Sequence, residues 1–173
     1  MWRLFRIVFF LASLSFFLSS VLLLRRLDVF STLYYKLHPP IYEIPKESFS
    51  EELLTAINKE RAKEKLPSFK TNNTLNFIAY QRALIIQDTD DFSHAATKSG
   101  KTYVYFANEL GYPYRWLGEN MAKKVNSVEE IVFRWIASPE HRDNLLDLRF
   151  KEIGIASLKD SVITVVIFGA LLF

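Results

Sequence analysis

Residues 151–168 read KEIGIASLKDSVITVVIF, and this stretch decides the fold class. Lys151 to Leu158 alternates, with Ile153 and Ile155 on either side of Gly154. Val162 to Ile167 is an unbroken run of β-branched residues. Such side chains are stiff at χ1 and pack well on a pleated surface. Both runs are therefore expected to be strands, joined as a hairpin through Lys159-Asp160-Ser161. The second run is uncharged on both of its alternating sides, so both faces should be covered. It is too short to cross a bilayer.

Upstream of this hairpin the period is helical. Ser48-Phe49-Ser50-Glu51 fits a capping box and opens a helix to about Lys65, with Leu53, Leu54 and Ile57 on its apolar face. Asn58 and Arg61 lie on or beside that face. A second helix is expected from about Asn73 to Asp88. Its stripe is Leu75, Ile78, Ala79, Arg82, Ala83 and Ile86, with Arg82 the one polar member. Thr102 to Leu110 reads as a short helix. Ser127-Val128-Glu129-Glu130 caps another, with Val128, Ile131, Val132, Trp135 and Ile136 inward, and Pro139 ends it or starts the next turn. One more strand is expected over Leu117 to Lys123. Helices followed by strands give an α+β domain with helices packed on a sheet.

The chain has 173 residues, half of them apolar, which is enough for one ordinary domain and excludes a wholly disordered chain. It has no Cys, hence no disulfide, no thiolate metal site and no Cys nucleophile. Residues 1–47 hold six of the 22 Lys/Arg and three of the 19 acids, so residues 48–173 carry 16 of each and are formally neutral. The net charge of +3 thus belongs to the N-terminal segment, and the globular part has no basic excess of the kind nucleic-acid binding needs.

That segment is distinctive. Ile7 to Leu24 carries no charge and would span about 27 Å as a helix, close to the roughly 30 Å of a hydrocarbon core. Arg3 and Arg6 precede it; Arg25 and Arg26 follow it. No A-x-A-like cleavage site ends the run, which favours an uncleaved signal anchor over a signal peptide. Residues 1–28 are accordingly read as a transmembrane anchor. Residues 29–47 are read as an extended linker, with His38-Pro39-Pro40 and Ile44-Pro45 blocking a helix. Residues 48–173 are read as the globular domain.

Few residues are suited to chemistry. His94 follows Phe92-Ser93, His141 lies in Ser138-Pro139-Glu140-His141-Arg142-Asp143-Asn144, and Gly118-Glu119-Asn120 stands between them. Two imidazoles and a carboxylate can serve a divalent metal or an acid/base pair. Each residue also has a structural reading: His94 as a turn cap, His141 as a helix-terminus residue, Glu119 as an ion-pair partner, Gly118 as the source of an unusual φ. There is no H-E-x-x-H pair, no G-x-S-x-G elbow and no phosphate-binding Gly loop. Spacing alone leaves both readings open.

The order of the motifs adds a resemblance. Leu54-x-x-Ile57-Asn58-x-x-Arg61 is followed by Phe92-Ser93-His94 and Gly118-Glu119-Asn120. Then come Trp135-x-x-Ser138-Pro139-x-His141-Arg142-x-Asn144-Leu145 and Glu152-Ile153-Gly154-Ile155. From about Glu51 to Phe168 the chain resembles a CAP-superfamily domain, shared by cysteine-rich secretory proteins, venom antigens and plant pathogenesis-related proteins. It is most similar to the short bacterial SCP-like branch. The resemblance implies a three-layer α-β-α sandwich with a central antiparallel sheet. It also implies a cleft of two His and two acids, of which His94, Glu119 and His141 match three. The place of the fourth, often Glu, is taken by Ser138. That departure weighs against a four-residue mechanism and leaves a two-His site for Zn²⁺ or another divalent metal. Asn58, Arg61, Asn120, Ser138, Arg142 and Asn144 are implied to be supporting residues, Asn58 and Arg61 through backbone groups or the Asp-rich turn after the second helix, Arg142 and Asn144 by fixing the turn that aims His141. A buried Arg61 needs carbonyls or a carboxylate.

The functional expectation is an extracellular module, anchored in the membrane by its N-terminal helix or secreted if that segment is cleaved. It would bind a metal or a ligand in the His/Glu cleft; the ligand classes are lipid, cell-wall material or protein, not nucleic acid. The aromatic cluster Tyr103, Tyr105, Phe106, Tyr112, Tyr114 and Trp116 offers either a groove beside the cleft or ordinary packing. One alternative is a metal-assisted, peptidase-like hydrolase in which His94 and His141 hold the ion and Glu119 is general base. The other is a structural or interaction domain without chemistry.

Overall fold

The computed structural model describes residues 48–125, 127–158 and 162–172. The expected anchor (1–28), linker (29–47) and hairpin connection (159–161) lie outside them. Among the described residues no helix is long and apolar enough to cross a membrane. The described residues form five helices and four strands in the order α1 (Ser48–Lys63), β1 (Lys70–Thr71), α2 (Asn73–Thr89), α3 (Tyr103–Glu109), β2 (Tyr114–Lys123), α4 (Val128–Ala137), α5 (Pro139–Leu146), β3 (Glu152–Leu158) and β4 (Ile163–Leu171).

The sheet order is β1-β3-β4-β2. β3 and β4 pair antiparallel with Gly154 opposite Ile167 and Ser157 opposite Thr164, as the decisive stretch requires. β2 lies antiparallel on the other side of β4, with Glu119 opposite Ile167. β4 is therefore central and buried from Ile163 to Ala170. The sheet is mixed, which corrects the expected antiparallel one: β1 runs parallel to β3, Lys70 opposite Glu152. β1 is only two exposed residues between the end of α1 and the cap of α2, too short to carry a two-residue period.

Alternation along the strands sends side chains to two separate cores. On one face Ile153, Ile155, Val166 and Phe168 pack with Leu53 and Ile57 of α1, Ile131 and Trp135 of α4 and Leu145 of α5. On the other, Ala156, Val165 and Ile167 pack with Leu75, Ile78 and Ile86 of α2 and Ala107 of α3. Helices thus cover both faces. Caps place the helices: Asn72 Oδ1 accepts from the amides of Thr74 and Leu75, and Ser127 Oγ accepts from Glu130. Such a cap contributes about 1 kcal/mol. Pro139 starts α5, where its missing N–H costs nothing.

Two glycines are there for close approach. A Cβ on Gly154 would lie 2.0 Å from the carbonyl carbon of Leu75 and 2.3 Å from the amide nitrogen of Asn76, so the bare backbone lets the start of α2 rest on β3. Asn76 Oδ1 accepts from the Ile155 amide at the same crossing. A Cβ on Gly118 would lie 2.8 Å from Asn144 Oδ1. Gly118 sits within β2, and its role is clearance for α5 rather than the turn φ that the structural reading assigned it.

Arg61 is buried and finds carbonyls, as expected: its Nε and Nη1 donate to Pro67, Leu145 and Asp147, and its guanidinium lies 3.7 Å over the Phe69 ring. Asn58 exchanges two hydrogen bonds with the Phe69 backbone. Both tie α1 to the segments leading into β1 and out of α5; neither reaches the histidines. The aromatic run divides: Tyr112 is buried and donates to Glu152, Tyr103, Phe106 and Tyr114 pack against the α2 core, and Tyr105 and Trp116 are exposed.

Candidate functional site at the edge of β2

β2 is an edge strand, and its consecutive residues Glu119 and Asn120 point to opposite faces of the sheet. Glu119 turns toward α2. Arg82, the polar member of the α2 stripe, meets it there: Arg82 Nε donates to Glu119 Oε1 at 2.8 Å, and Nη2 lies 3.4 Å from Oε2. Both side chains are fully buried. The rest of the guanidinium donates to the carbonyls of Ser93 and Lys101. These bonds bring in the loop after α2, and with it His94.

His94 Nδ1 lies 2.8 Å from Glu119 Oε2. A carboxylate only accepts, so Nδ1 carries the proton and Nε2 is left with its lone pair in the neutral ring. The loop is fixed a second time by Asp91, which accepts from Thr97 Oγ1 and the Lys98 amide.

Asn120 turns the other way, toward α5. Its Nδ2 donates to the His141 carbonyl at 3.0 Å, and its Oδ1 accepts from Asn144 Nδ2 at 2.9 Å. Asn144 also donates to the Glu119 carbonyl, and Trp135 Nε1 donates to the Met121 carbonyl at 3.2 Å. Two outward-facing carbonyls of the edge strand are thereby occupied by side chains, which blunts the edge against another strand. His141 sits in the first turn of α5. Its Nδ1 shares a 2.9 Å hydrogen bond with Ser138 Oγ, at the position where the resemblance implied an acid. Its ring stands 6.4 Å from that of Trp135.

The two imidazoles are carried on opposite faces of the sheet, His94 by the loop after α2 and His141 by the first turn of α5. Burial, followed by the charge of His94, pushes His141 below the ordinary histidine value, with Glu140 acting weakly against both. Among the described residues neither Nε2 has a hydrogen-bond partner. Tyr103 borders the same place: burial, then the Glu119 carboxylate, raises its phenol above the usual range.

The structure thus brings together His94, Glu119, Asn120, Ser138, His141 and Asn144. Arg142 stands apart from that cluster: its side chain is exposed, and among the described residues only its backbone amide bonds, to the Ser138 carbonyl. Arg82 belongs to the site and was not assigned to it from the sequence. The available signal was its charge on an otherwise apolar helical stripe, which demands a buried anion.

As a metal site the donor set is two imidazole Nε2 atoms, each with Nδ1 anchored as metal-bound histidines usually have it. Among the described residues no group of three His, Cys, Asp or Glu is placed to hold an ion. Two nitrogens fit a cation that keeps water in its other positions.

Comparison with known proteins covers the same part of the chain. The Bacillus subtilis (strain 168) protein YkwD is 28% identical over 116 residues, which is 67% of this chain and 45% of that protein. The chain therefore spans less than half the length of that relative. Among solved structures, an outer surface protein from Borrelia burgdorferi matches with a TM-score of 0.67 at 23% identity, covering 75% of this chain and 98% of that one. An extracellular SCP-domain protein from Bacillus anthracis matches at 0.65 and 19% identity, over 75% of this chain and 46% of that one. A cysteine-rich secretory protein from Staphylococcus aureus matches at 0.61 and 21%, over 74% and 41%. These structures share the fold. The model of the CAP family, the cysteine-rich secretory protein family, matches residues 54–169, and the chain belongs to that family.

Proposed function

We propose that the domain is an extracellular binding module whose His94 and His141 hold a divalent cation, with Zn²⁺ the best match to two imidazoles. The carrying observation is the tethering of both rings through Nδ1, while among the described residues neither Nε2 has a hydrogen-bond partner. A cation bound there would supply a Lewis-acidic centre with open positions for a further ligand. His94 is oriented by Glu119, which Arg82 keeps compensated in a buried setting; His141 is oriented by Ser138 and by the bond from Asn120 to its carbonyl. The extracellular placement is supported by two proteins of the same fold, one described as an extracellular protein and one as an outer surface protein. An uncharged run at Ile7 to Leu24, flanked by arginines, supports a membrane anchor.

The peptidase-like alternative has less support. Both Glu119 oxygens are engaged by Arg82 and His94, so this carboxylate is occupied as a positioning group and is poorly suited to take a proton from water.

Calorimetric titration of Zn²⁺ into the full chain in detergent, beside His94→Ala and His141→Ala, tests the reading. The expected result is binding with Kd on the order of micromolar, lost in both variants. No binding by the wild type, or loss in only one variant, overturns the two-histidine site.

A further inference from the structure

The described residues expose seven large hydrophobic side chains, and four of them gather at one end of the sheet: Trp116 (44% exposed), Leu148 (57%), Leu171 (38%) and Leu172 (52%). The register brings them together. β2 begins where β4 ends, with Tyr114 opposite Leu171 and Trp116 opposite Ala170. The Leu172 amide donates to the Pro113 carbonyl, and the Lys151 amide to the Gly169 carbonyl, so the start of β3 reaches the same end. Leu148 is held there by the bond from Lys151 Nζ to its carbonyl.

Cations predominate at this end. Arg149 lies 4.7 Å over the Trp116 ring, Arg115 and Lys151 are exposed beside it, and Lys70 stands at the same end through its pairing with Glu152. Two acids stand among them, and both are engaged: Asp147 is paired with Arg149, and Glu152 accepts from the buried Tyr112 hydroxyl. The globular part as a whole is neutral, so a basic rim around the exposed Trp and Leu side chains is a local feature.

We infer that this end of the sheet docks on an anionic lipid bilayer. An indole with a neighbouring guanidinium suits the headgroup level, where amphipathic rings settle and basic side chains meet anionic lipid. Leucines on each side of it add apolar area that can enter the acyl boundary. The surface is separate from the histidine site and stands whether or not that site binds metal.

Trp116 reports the docking directly. The full chain carrying Trp2→Phe is reconstituted into vesicles of phosphatidylcholine with phosphatidylglycerol, some of the lipid brominated in its acyl chains. Bromine quenches an indole only on close contact, and the chain then holds Trp116 and the buried Trp135. Quenching that disappears in the Trp2→Phe/Trp116→Phe chain, and that weakens in vesicles without phosphatidylglycerol, is expected. Arg149→Glu with Lys151→Glu, both exposed and outside the cores, should lower the docked-to-undocked ratio about fivefold or more per cation. Trp135 emission in the same samples verifies that the fold is kept. Three results overturn the inference: no quenching above the Trp116→Phe background, quenching indifferent to phosphatidylglycerol, or a Trp116-dependent dimer by light scattering, which would assign the surface to a second copy.

Discussion

At the scale of single residues, the ion pair between Arg82 and Glu119 is the device on which the site turns. Neither side chain touches solvent, and the carboxylate divides its two oxygens between Arg82 and His94. Removing one partner of a buried pair leaves a bare charge, whereas replacing both with apolar groups is often neutral. Arg82→Met alone should therefore lose about 3–5 kcal/mol in denaturant titration. Arg82→Met with Glu119→Leu should recover most of that stability. The double variant has nothing to hold His94 Nδ1, so its Zn²⁺ titration should stay flat while its unfolding midpoint approaches that of the wild type. A double variant that both folds and binds Zn²⁺ would mean that Glu119 does not orient His94.

At the scale of elements, the contact between α2 and β3 depends on the absence of one side chain. Gly154→Ala would drive a Cβ into the backbone of Leu75 and Asn76, atoms that cannot rotate away. The helix would have to lift, parting the Asn76 bond to Ile155 and loosening the Leu75 contacts. A loss of about 3 kcal/mol or more is expected by chemical denaturation, large for a single methyl. A cost under about 1 kcal/mol would show that the crossing is slack. Elements of this kind were readable in the sequence to different degrees. The β3–β4 hairpin, the α2 and α4 stripes and the capping of α4 by Ser127 each depend on a local period or cap, and a period survives in one dimension. β1 has two residues and no period, so its parallel pairing, and the mixed sheet that results, could not be read. The histidines, Glu119 and Asn144 were legible through their order in the chain. The bond from Ser138 to His141 and the pairing of Arg82 with Glu119 depend on how elements meet in space, in the second case a helix and a strand across 37 positions, which spacing does not encode. Arg142 shares a motif with Asn144, yet the turn of α5 puts it in solvent.

At the scale of the whole molecule, the sheet separates two cores that make no common cluster, and the site is where both layers reach one strand edge. His141 therefore reports on the integrity of the assembled domain. Its folded-state affinity for a proton is lowered by burial and by the charge of His94, both of which vanish in the unfolded chain. Below the ordinary histidine value of about 6.5 the unfolded chain takes up a proton that the folded one resists, so stability falls as the pH is lowered from there toward the folded-state value. Above about 6.5 both states hold a neutral imidazole and this contribution is flat. The thermal midpoint of the metal-free chain should accordingly drop on acidification through that window. In His141→Asn, which keeps polarity without a titrating group, the slope there should be shallower. Equal slopes in the wild type and His141→Asn would place His141 in an environment no different from water, and the convergence of the two layers on this edge would then have to be looser than the hydrogen bonds of Asn120, Ser138 and Glu119 imply.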